Sequence, residues 1–258
     1  MPRFSANLSL LFRELPLPER FQAAKDCGFD AIEIQFPYEI PAQAIRSAID
    51  RAGLQLVLFN VPADDLMHGG EGLAAVPAKR DQFIQAVESA RAYAEILHPR
   101  IINVLPGRCL QEERRANYLE TFLGNLRHAA DVFSGLGIRV VFEAVNTHDM
   151  PGFLISSGAQ MLDVLHTLNH PNLFLQYDIY HMQTMGENPI EFIPQQADRI
   201  GHIQFADAPG RGEPGTGSIR FAELFEVIDN SRYQGWLGAE YKPTRGTLAS
   251  LDWMQRFR

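Results

Sequence analysis

The sequence is poor in the residues and segments that mark several classes of protein. Its 258 residues include only two cysteines, too few for a framework of disulfides. No apolar run approaches the roughly 20 residues of a membrane helix, and the N-terminus has no signal-peptide core. Lysine and arginine number 23 against 31 acidic residues, a net charge of −8, which disfavours nucleic acids and anionic membranes as partners. We therefore expect a cytoplasmic protein that binds neither, and the sequence leaves open whether it forms a homo-oligomer.

Eight short apolar runs recur along the chain. Within each run the apolar residues are continuous rather than alternating, which is typical of parallel strands buried on both faces. The predicted strands cover residues 4–10, 31–35, 54–60, 100–105, 139–144, 173–178, 200–205 and 235–240.

Stretches with helical spacing lie between these runs, and glycines such as Gly28, Gly53 and Gly137 close several of them. Strict alternation of strands and helices gives either a doubly wound sheet or a closed (β/α)₈ barrel. The count of eight and the length favour an α/β fold of the (β/α)₈ TIM-barrel type, with residues 1–258 as a single domain. No glycine-rich dinucleotide motif follows the first strand, which disfavours a Rossmann fold.

Three long segments interrupt the alternation, at residues 62–77, 147–158 and 207–218. Each follows a strand, so a barrel would place all three at its carboxyl-terminal face, where active sites lie. The first has a length typical of a lid or binding loop, and the sequence leaves open whether it moves. The glycine-rich residues 213–217 lack the lysine of a phosphate-binding loop, which favours a plain turn.

Polar side chains end four consecutive strands. Glu143, Asp178, Gln204 and Glu240 each come at or near the end of an apolar run. Adjacent strands are about 4.8 Å apart, so these groups can meet at one centre. Three carboxylates without a cation would repel one another. Oxygen ligands favour Mg²⁺, with Mn²⁺ as the alternative, over Zn²⁺. An ion pair or a solvated position remains the alternative for each residue alone.

Further polar residues near these strand ends are candidates for binding the substrate. His181 follows Asp178 by three residues, a spacing that can direct both side chains at one ligand. Arg211 and Lys242 are the nearest cations, and either can hold an anionic group, with arginine better suited to a carboxylate. His202 lies one layer deeper on the seventh strand and is interpreted as a core or supporting residue.

At these residues the sequence resembles the hydroxypyruvate isomerases within the xylose-isomerase-like (β/α)₈ superfamily. The resemblance extends over nearly the whole chain, through residues 2–9, 28–33, 58–60, 203–211, 233–236 and 240–243. It implies a metal held by Glu143, Asp178, Gln204 and Glu240, with Glu143 and Glu240 as the acid/base pair. Many epimerases of this superfamily carry histidine in place of Gln204. Ser218 stands where the resemblance leads us to expect an acidic residue, which bears on the substrate more than on the chemistry.

The implied reaction is an aldose–ketose isomerisation of hydroxypyruvate to 2-hydroxy-3-oxopropanoate (tartronate semialdehyde), by proton transfer through a cis-enediolate. The alternatives are a 2-oxo-tetronate isomerase or a ketose 3-epimerase on the same scaffold, since a fold does not determine its substrate. In every case the partner is a small keto acid, hydroxy acid or ketose. The net charge of −8 disfavours a metal-dependent nuclease, and the grouped carboxylates disfavour a non-catalytic binding protein.

Overall fold

The computed structural model of the protein describes residues 2–257. Its strands are parallel and close into a barrel in chain order, because β1 pairs with β8 as well as with β2. The strands are β1 (Phe4–Asn7), β2 (Ala31–Ile34), β3 (Gln55–Asn60), β4 (Ile101–Asn103), β5 (Arg139–Glu143), β6 (Leu173–Asp178), β7 (Ile200–Phe205) and β8 (Leu237–Ala239). The predicted TIM-barrel fold is confirmed.

Helices follow the strands and cover the outside of the barrel. They are α1 (Leu17–Asp26), α2 (Ala42–Ala52), α3 (Arg80–Leu97), α4 (Arg115–Ser134), α5 (Gly158–Leu168), α6 (Ile179–Thr184), α7 (Pro189–Gln196), α8 (Phe221–Asp229) and α9 (Met254–Phe257). Among residues 2–257, no helix is both long and apolar enough to span a membrane.

The helices turn apolar faces towards the barrel. In α2, Ile45, Ala48 and Ile49 are buried, and the helix ends at Gly53, whose φ of 62° lies in the left-handed region that glycine adopts without strain. The same arrangement recurs in α3, α4 and α5, through Phe83, Val87, Ala90, Phe122, Leu126, Ala129, Ala130 and Met161. Burial of these faces holds the helices on the strands.

Several strands are shorter than predicted, at one end or at both. β6 and β7 have the predicted bounds, but β1 ends at Asn7 rather than at residue 10. There the backbone carbonyl of Asn7 accepts from Leu11 N at 2.8 Å, and its side-chain oxygen accepts from Ser9 N at 3.0 Å. These bonds turn the chain over the mouth of the barrel.

The interior of the barrel is polar towards the carboxyl ends of the strands. Alternate residues of a strand face the same side, and in this half of the barrel the inward positions carry amides, carboxyls and an imidazole. These buried polar residues include Asn7, Glu33, Asn60, Asn103, Glu143, Gln176, Asp178, His202, Gln204 and Glu240. Buried polar groups are costly unless they have partners. A layer with this many of them is therefore the candidate functional site of the barrel.

Candidate active site

Four side chains predicted from the strand ends come together at the carboxyl-terminal mouth of the barrel. Glu143 and Asp178 end β5 and β6, Gln204 lies one residue before the end of β7, and Glu240 directly follows β8. All four are buried. Glu143, Gln204 and Glu240 line one cavity of about 70 Å³, and Asp178 pairs in register with Gln204.

Asp178 and His181 form a cluster with Glu143 that has the geometry of a metal site. One ligand atom from each residue lies within 4.8 Å of the others. Oδ2 of Asp178 is buried and accepts no hydrogen bond within the described chain, with His181 Nε2 at 3.5 Å and Arg211 Nη2 at 3.9 Å. A buried carboxylate oxygen is costly unless a donor or a cation meets it. This buried cluster therefore fits a divalent cation.

Local structure explains the spacing of Asp178 and His181. Asp178 is the N-cap of α6, and its Oδ1 accepts hydrogen bonds from the backbone N–H groups of Tyr180 at 2.8 Å and His181 at 3.3 Å. The cap leaves Oδ2 free, and the first turn of the helix returns the imidazole of His181 to the same side. Burial lowers the pKa of His181 to about 4, so its ring is neutral at pH 7 and one ring nitrogen can bind a cation or a substrate hydroxyl.

Glu143 is a buried carboxyl group with a strongly raised pKa. Burial is the main cause, and the negative charges of Glu240 and Asp178 add to it, so that the pKa is raised to about 8. One hydrogen bond opposes this shift, from Asn103 Nδ2 to Oε1 at 2.7 Å. At pH 7, without a cation, this group carries a proton for most of the time.

Glu240 is the second buried carboxyl group of the cavity. Its Oε1 accepts from Asn7 Nδ2 at 2.9 Å and Gln35 Nε2 at 2.8 Å, and its Oε2 from Arg211 Nη2 at 2.7 Å. Burial still raises its pKa to about 7, although the guanidinium of Arg211 acts in the opposite direction. In the absence of a cation, burial thus raises the pKa of both carboxyl groups of the cavity.

Arg211 reaches the site from the segment between β7 and α8. Its guanidinium lies over the ring of Tyr180, with the central carbon 5.2 Å from the ring centroid. Nε is buried and donates to no described residue. The backbone at Arg211 has a φ of 58°, unusual for a residue other than glycine, and its carbonyl accepts from Lys242 N at 2.7 Å.

Asp207, which sequence reasoning did not single out, holds the segment that carries Arg211. Its carboxylate accepts four backbone hydrogen bonds of 2.8–3.0 Å, from Ala208, Gly215, Gly217 and Ile219. A side chain at position 217 would collide with the Ala208 carbonyl oxygen, 2.4 Å from an added Cβ. The glycine-rich residues 213–217 therefore form a turn around an internal carboxylate.

Lys242 stands apart from the other predicted substrate residues. His181 and Arg211 line the cavity with the carboxyl groups, whereas Lys242 does not, and its side chain is exposed. Its contribution to the described site is the backbone hydrogen bond to Arg211.

Glu33 is a further site residue that the strand pattern did not reveal. It is fully buried in β2 and accepts from Asn7 Nδ2 at 3.1 Å and Gln204 Nε2 at 3.0 Å, with His202 Nε2 at 2.6 Å. Because the nitrogen of the Gln204 amide faces Glu33, its oxygen is directed away, where it accepts from Gln176 Nε2 at 2.6 Å. His202, predicted to be a supporting residue, has this position below the site.

All three long segments contribute to the mouth of the site. Met67, Asp149 and Arg211, one from each segment, line the cavity. The guanidinium of Arg108 donates to the carbonyl oxygens of Gly69 and Pro151, both at 2.7 Å. This side chain thereby joins residues 62–77 to residues 147–158 over the barrel.

Comparison with known proteins agrees with this geometry. The family model described as "Xylose isomerase-like TIM barrel" matches residues 21–257. The hydroxypyruvate isomerase of Escherichia coli K12 is 41% identical over 258 residues, with both chains fully covered. A 2-oxo-tetronate isomerase of Pectobacterium atrosepticum is 37% identical, covering 99% of this chain and 97% of that one. A crystal structure from Brucella melitensis, described as "AP endonuclease, family 2", has a TM-score of 0.96 and 36% identity over the whole of both chains.

The barrel, its polar mouth and the matching family model define the class of protein: the chain belongs to the xylose isomerase-like TIM barrel family. Within this family, the chain is an isomerase of the group that contains the hydroxypyruvate and 2-oxo-tetronate isomerases.

Proposed function

We propose that this isomerase interconverts hydroxypyruvate and 2-hydroxy-3-oxopropanoate. The observation that carries the proposal is the pair of buried carboxyl groups, Glu143 and Glu240, that line one cavity together with Arg211. A proton must leave one substrate carbon and return to the neighbouring one. Two carboxyl groups in one cavity, of which one can take the proton and the other return it, are suited to this task.

The proposed proton transfer can be written atom by atom. One of the two glutamates, ionised, takes a proton from C3 of hydroxypyruvate. The electron pair of that C–H bond forms the C2–C3 double bond, and the π pair of the C2 carbonyl moves onto the C2 oxygen, which gives a cis-enediolate. A protonated glutamate then delivers a proton to C2. The hydroxyl proton moves from the oxygen on C3 to the oxygen on C2, which leaves an aldehyde at C3 and a hydroxyl at C2. No oxidant or reductant is needed.

A divalent cation at the carboxylate cluster would stabilise the negative charge that develops on the two substrate oxygens. We propose Glu143, Asp178, Gln204 and Glu240 as its ligands and Mg²⁺ as the ion, because this set offers only oxygen atoms. His181, within 4.8 Å of the Glu143 and Asp178 ligand atoms, offers a nitrogen, which Mn²⁺ accepts more readily. Metal content and calorimetric titration with Mg²⁺, Mn²⁺ and Zn²⁺ test the assignment.

Arg211 is proposed to hold the substrate carboxylate. In the structure its guanidinium donates to Glu240 and leaves Nε without a partner, so donors remain for a second carboxylate. His181 is proposed to contact the hydroxyl. The second candidate substrate is 2-oxo-tetronate, because the 2-oxo-tetronate isomerase of Pectobacterium atrosepticum is 37% identical to this chain.

Proton NMR in D₂O tests the reaction and the substrate together. The protein with Mg²⁺ is incubated separately with hydroxypyruvate, a 2-oxo-tetronate and a ketose such as fructose. We expect deuterium at C3 of hydroxypyruvate together with the product aldehyde. Exchange confined to 2-oxo-tetronate would transfer the assignment to that acid, and exchange at C3 of the ketose alone would make the protein an epimerase.

The description of the Brucella melitensis structure names an endonuclease activity, and this is checked in parallel. A net charge of −8 and a mouth lined by carboxyl groups oppose the approach of a polyanion. We expect no cleavage of duplex DNA containing an abasic site in the presence of Mg²⁺ or Mn²⁺. Cleavage without any keto-acid exchange would contradict the proposed function.

A further inference from the structure

The opposite end of the barrel contains a larger cavity than the candidate active site. It has a volume of about 630 Å³ and is lined by residues at and before the amino-terminal ends of the strands, including Arg3, Arg139, Phe174 and Trp236. Cavities that bind organic ligands have volumes of about 300–1,000 Å³. Nothing in the proposed isomerase reaction uses this end of the barrel.

Two exposed arginines occupy strand positions that face the inside of the barrel at this open end. Arg139 begins β5 and shares a strand face with Val141 and Glu143, because alternate residues point the same way. Arg3 directly precedes β1 and shares a strand face with Ser5 and Asn7. Its backbone carbonyl accepts a hydrogen bond from Leu237 N of β8 at 2.8 Å, so the pairing of β1 with β8 extends to this residue. Branched apolar side chains usually fill these layers of a TIM barrel.

Each of these guanidinium groups lies on an aromatic ring of a neighbouring strand. The central carbon of Arg3 is 5.1 Å from the Trp236 ring centroid, and that of Arg139 is 5.0 Å from the ring of Phe174. Such stacking holds a guanidinium in place while its N–H groups stay available at the edge. Arg3 also donates to the carbonyl of Gln234.

The wall of this cavity offers donors and few acceptors. Among residues 2–257, neither Arg3 nor Arg139 forms an ion pair with an acidic side chain, and the carboxylate of Asp198 at the rim is paired with Arg232 at 2.6 Å. Guanidinium N–H groups can only donate. A ligand that satisfies them must present oxygen acceptors, and the charge calls for an anion.

The positions of the two arginines on opposite strands favour a ligand with two anionic groups. In a closed barrel ordered β1 to β8, β1 and β5 lie on opposite sides, so Arg3 and Arg139 contribute to the lining of the cavity from opposite sides of the barrel. We propose that the amino-terminal mouth of this barrel is a binding site for a small organic dianion, a dicarboxylate or a bisphosphate, whose two acidic groups meet Arg3 and Arg139.

Calorimetric titration of the full chain tests this site, with glutarate and fructose 1,6-bisphosphate as probes and acetate as the singly charged control. The test variant carries Arg3→Gln and Arg139→Gln. The matched control carries Arg13→Gln and Arg245→Gln, which remove the same charge from two exposed arginines outside the cavity. We expect at least one dianion to bind, with affinity lowered about tenfold or more in the test variant and less than about twofold in the control.

Tryptophan fluorescence reports on the location of binding. The chain has two tryptophans, and in a Trp253→Phe background the signal comes from Trp236 in the cavity wall. We expect the bound dianion to change this signal equally with and without Arg211→Gln, a change at the other mouth. The proposed site is wrong if neither dianion binds or if acetate binds as tightly as the dianions. It is also wrong if the Arg3→Gln, Arg139→Gln variant binds the dianions as tightly as the parent chain. None of these outcomes depends on whether the isomerase assignment is correct.

Discussion

The amide nitrogen of Gln204 donates to Oε1 of Glu33 at 3.0 Å, so a residue of β2 orients a residue of β7 across the barrel. We predict that Glu33→Gln allows the side-chain amide of Gln204 to flip, so that its oxygen and nitrogen exchange places. The glutamine at position 33 can donate as well as accept, and it therefore no longer requires the nitrogen of Gln204 to face it. The oxygen proposed as a metal ligand is then lost for part of the time. Mg²⁺ affinity, measured by calorimetry, should fall about 10-fold to 100-fold.

The control for this prediction is Glu226→Gln, the same chemical change at an exposed position of α8, which should leave the affinity unchanged. Circular dichroism distinguishes loss of orientation from loss of fold. Unchanged Mg²⁺ affinity in a folded Glu33→Gln protein would show that Glu33 does not orient the ligand.

The second prediction concerns the two proposed acid/base residues. Glu143→Gln and Glu240→Gln should each lower turnover of hydroxypyruvate by about 10²–10⁴-fold, because an amide neither takes nor returns the substrate proton. Turnover is measured at saturating Mg²⁺, so that any loss of metal affinity is compensated. Glu120→Gln, at an exposed position of α4, serves as the control. Near parental turnover in both variants with metal bound would overturn the assignment.

The third prediction concerns the pH dependence of stability in the metal-free protein. The folded state holds protons on Glu143 and Glu240 that the unfolded chain releases, because burial raises the pKa of these groups to about 8 and about 7. Stability contributed by a raised carboxyl pKa is present at low pH and is lost as the pH rises through the folded pKa. The melting temperature should therefore fall by about 5 °C or more between pH 6.5 and 8.

His181 does not cancel this trend. Its pKa is lowered to about 4 by burial, so its cost to stability increases below pH 6.5, outside the chosen window. The Glu143→Gln variant should show a smaller fall, since it has lost one of the titrating groups. Saturating Mg²⁺ should also reduce the fall, because a cation stabilises the ionised carboxylates. An equal slope in the parent chain and the variant would contradict the assignment of the trend to Glu143.

The fourth prediction separates the two cations proposed to bind the substrate. Arg211→Lys should raise KM for hydroxypyruvate about tenfold or more, because lysine cannot form two parallel hydrogen bonds to a carboxylate. Lys242→Gln should change KM by less than about twofold, since the side chain of Lys242 is exposed and does not line the cavity. Steady-state kinetics of both variants provide the measurement. A larger increase in KM for Lys242→Gln than for Arg211→Lys would show that Lys242, rather than Arg211, holds the substrate carboxylate.

The fold and most of the candidate site could be predicted, because their signals are local. Apolar runs and helical spacing lie within short stretches of sequence, and Glu143, Asp178 and Glu240 each end such a run. Glu33 gave no comparable signal, because a single carboxylate inside a short apolar strand is also compatible with an ordinary ion pair. Its role depends on contacts with Asn7 of the adjacent β1 and with His202 and Gln204 of β7, and the contacts with β7 exist only in the closed barrel.

Asp207 binds the segment behind β7 through four main-chain N–H groups and through no side chain of that segment. The path of the backbone there depends on this carboxylate and on glycines such as Gly217, where an added Cβ would lie 2.4 Å from the Ala208 carbonyl oxygen. Exposed side chains of the segment can then vary outside these glycines while Arg211 keeps its place at the cavity. Directed evolution could therefore change the surface beside this mouth without displacing the guanidinium.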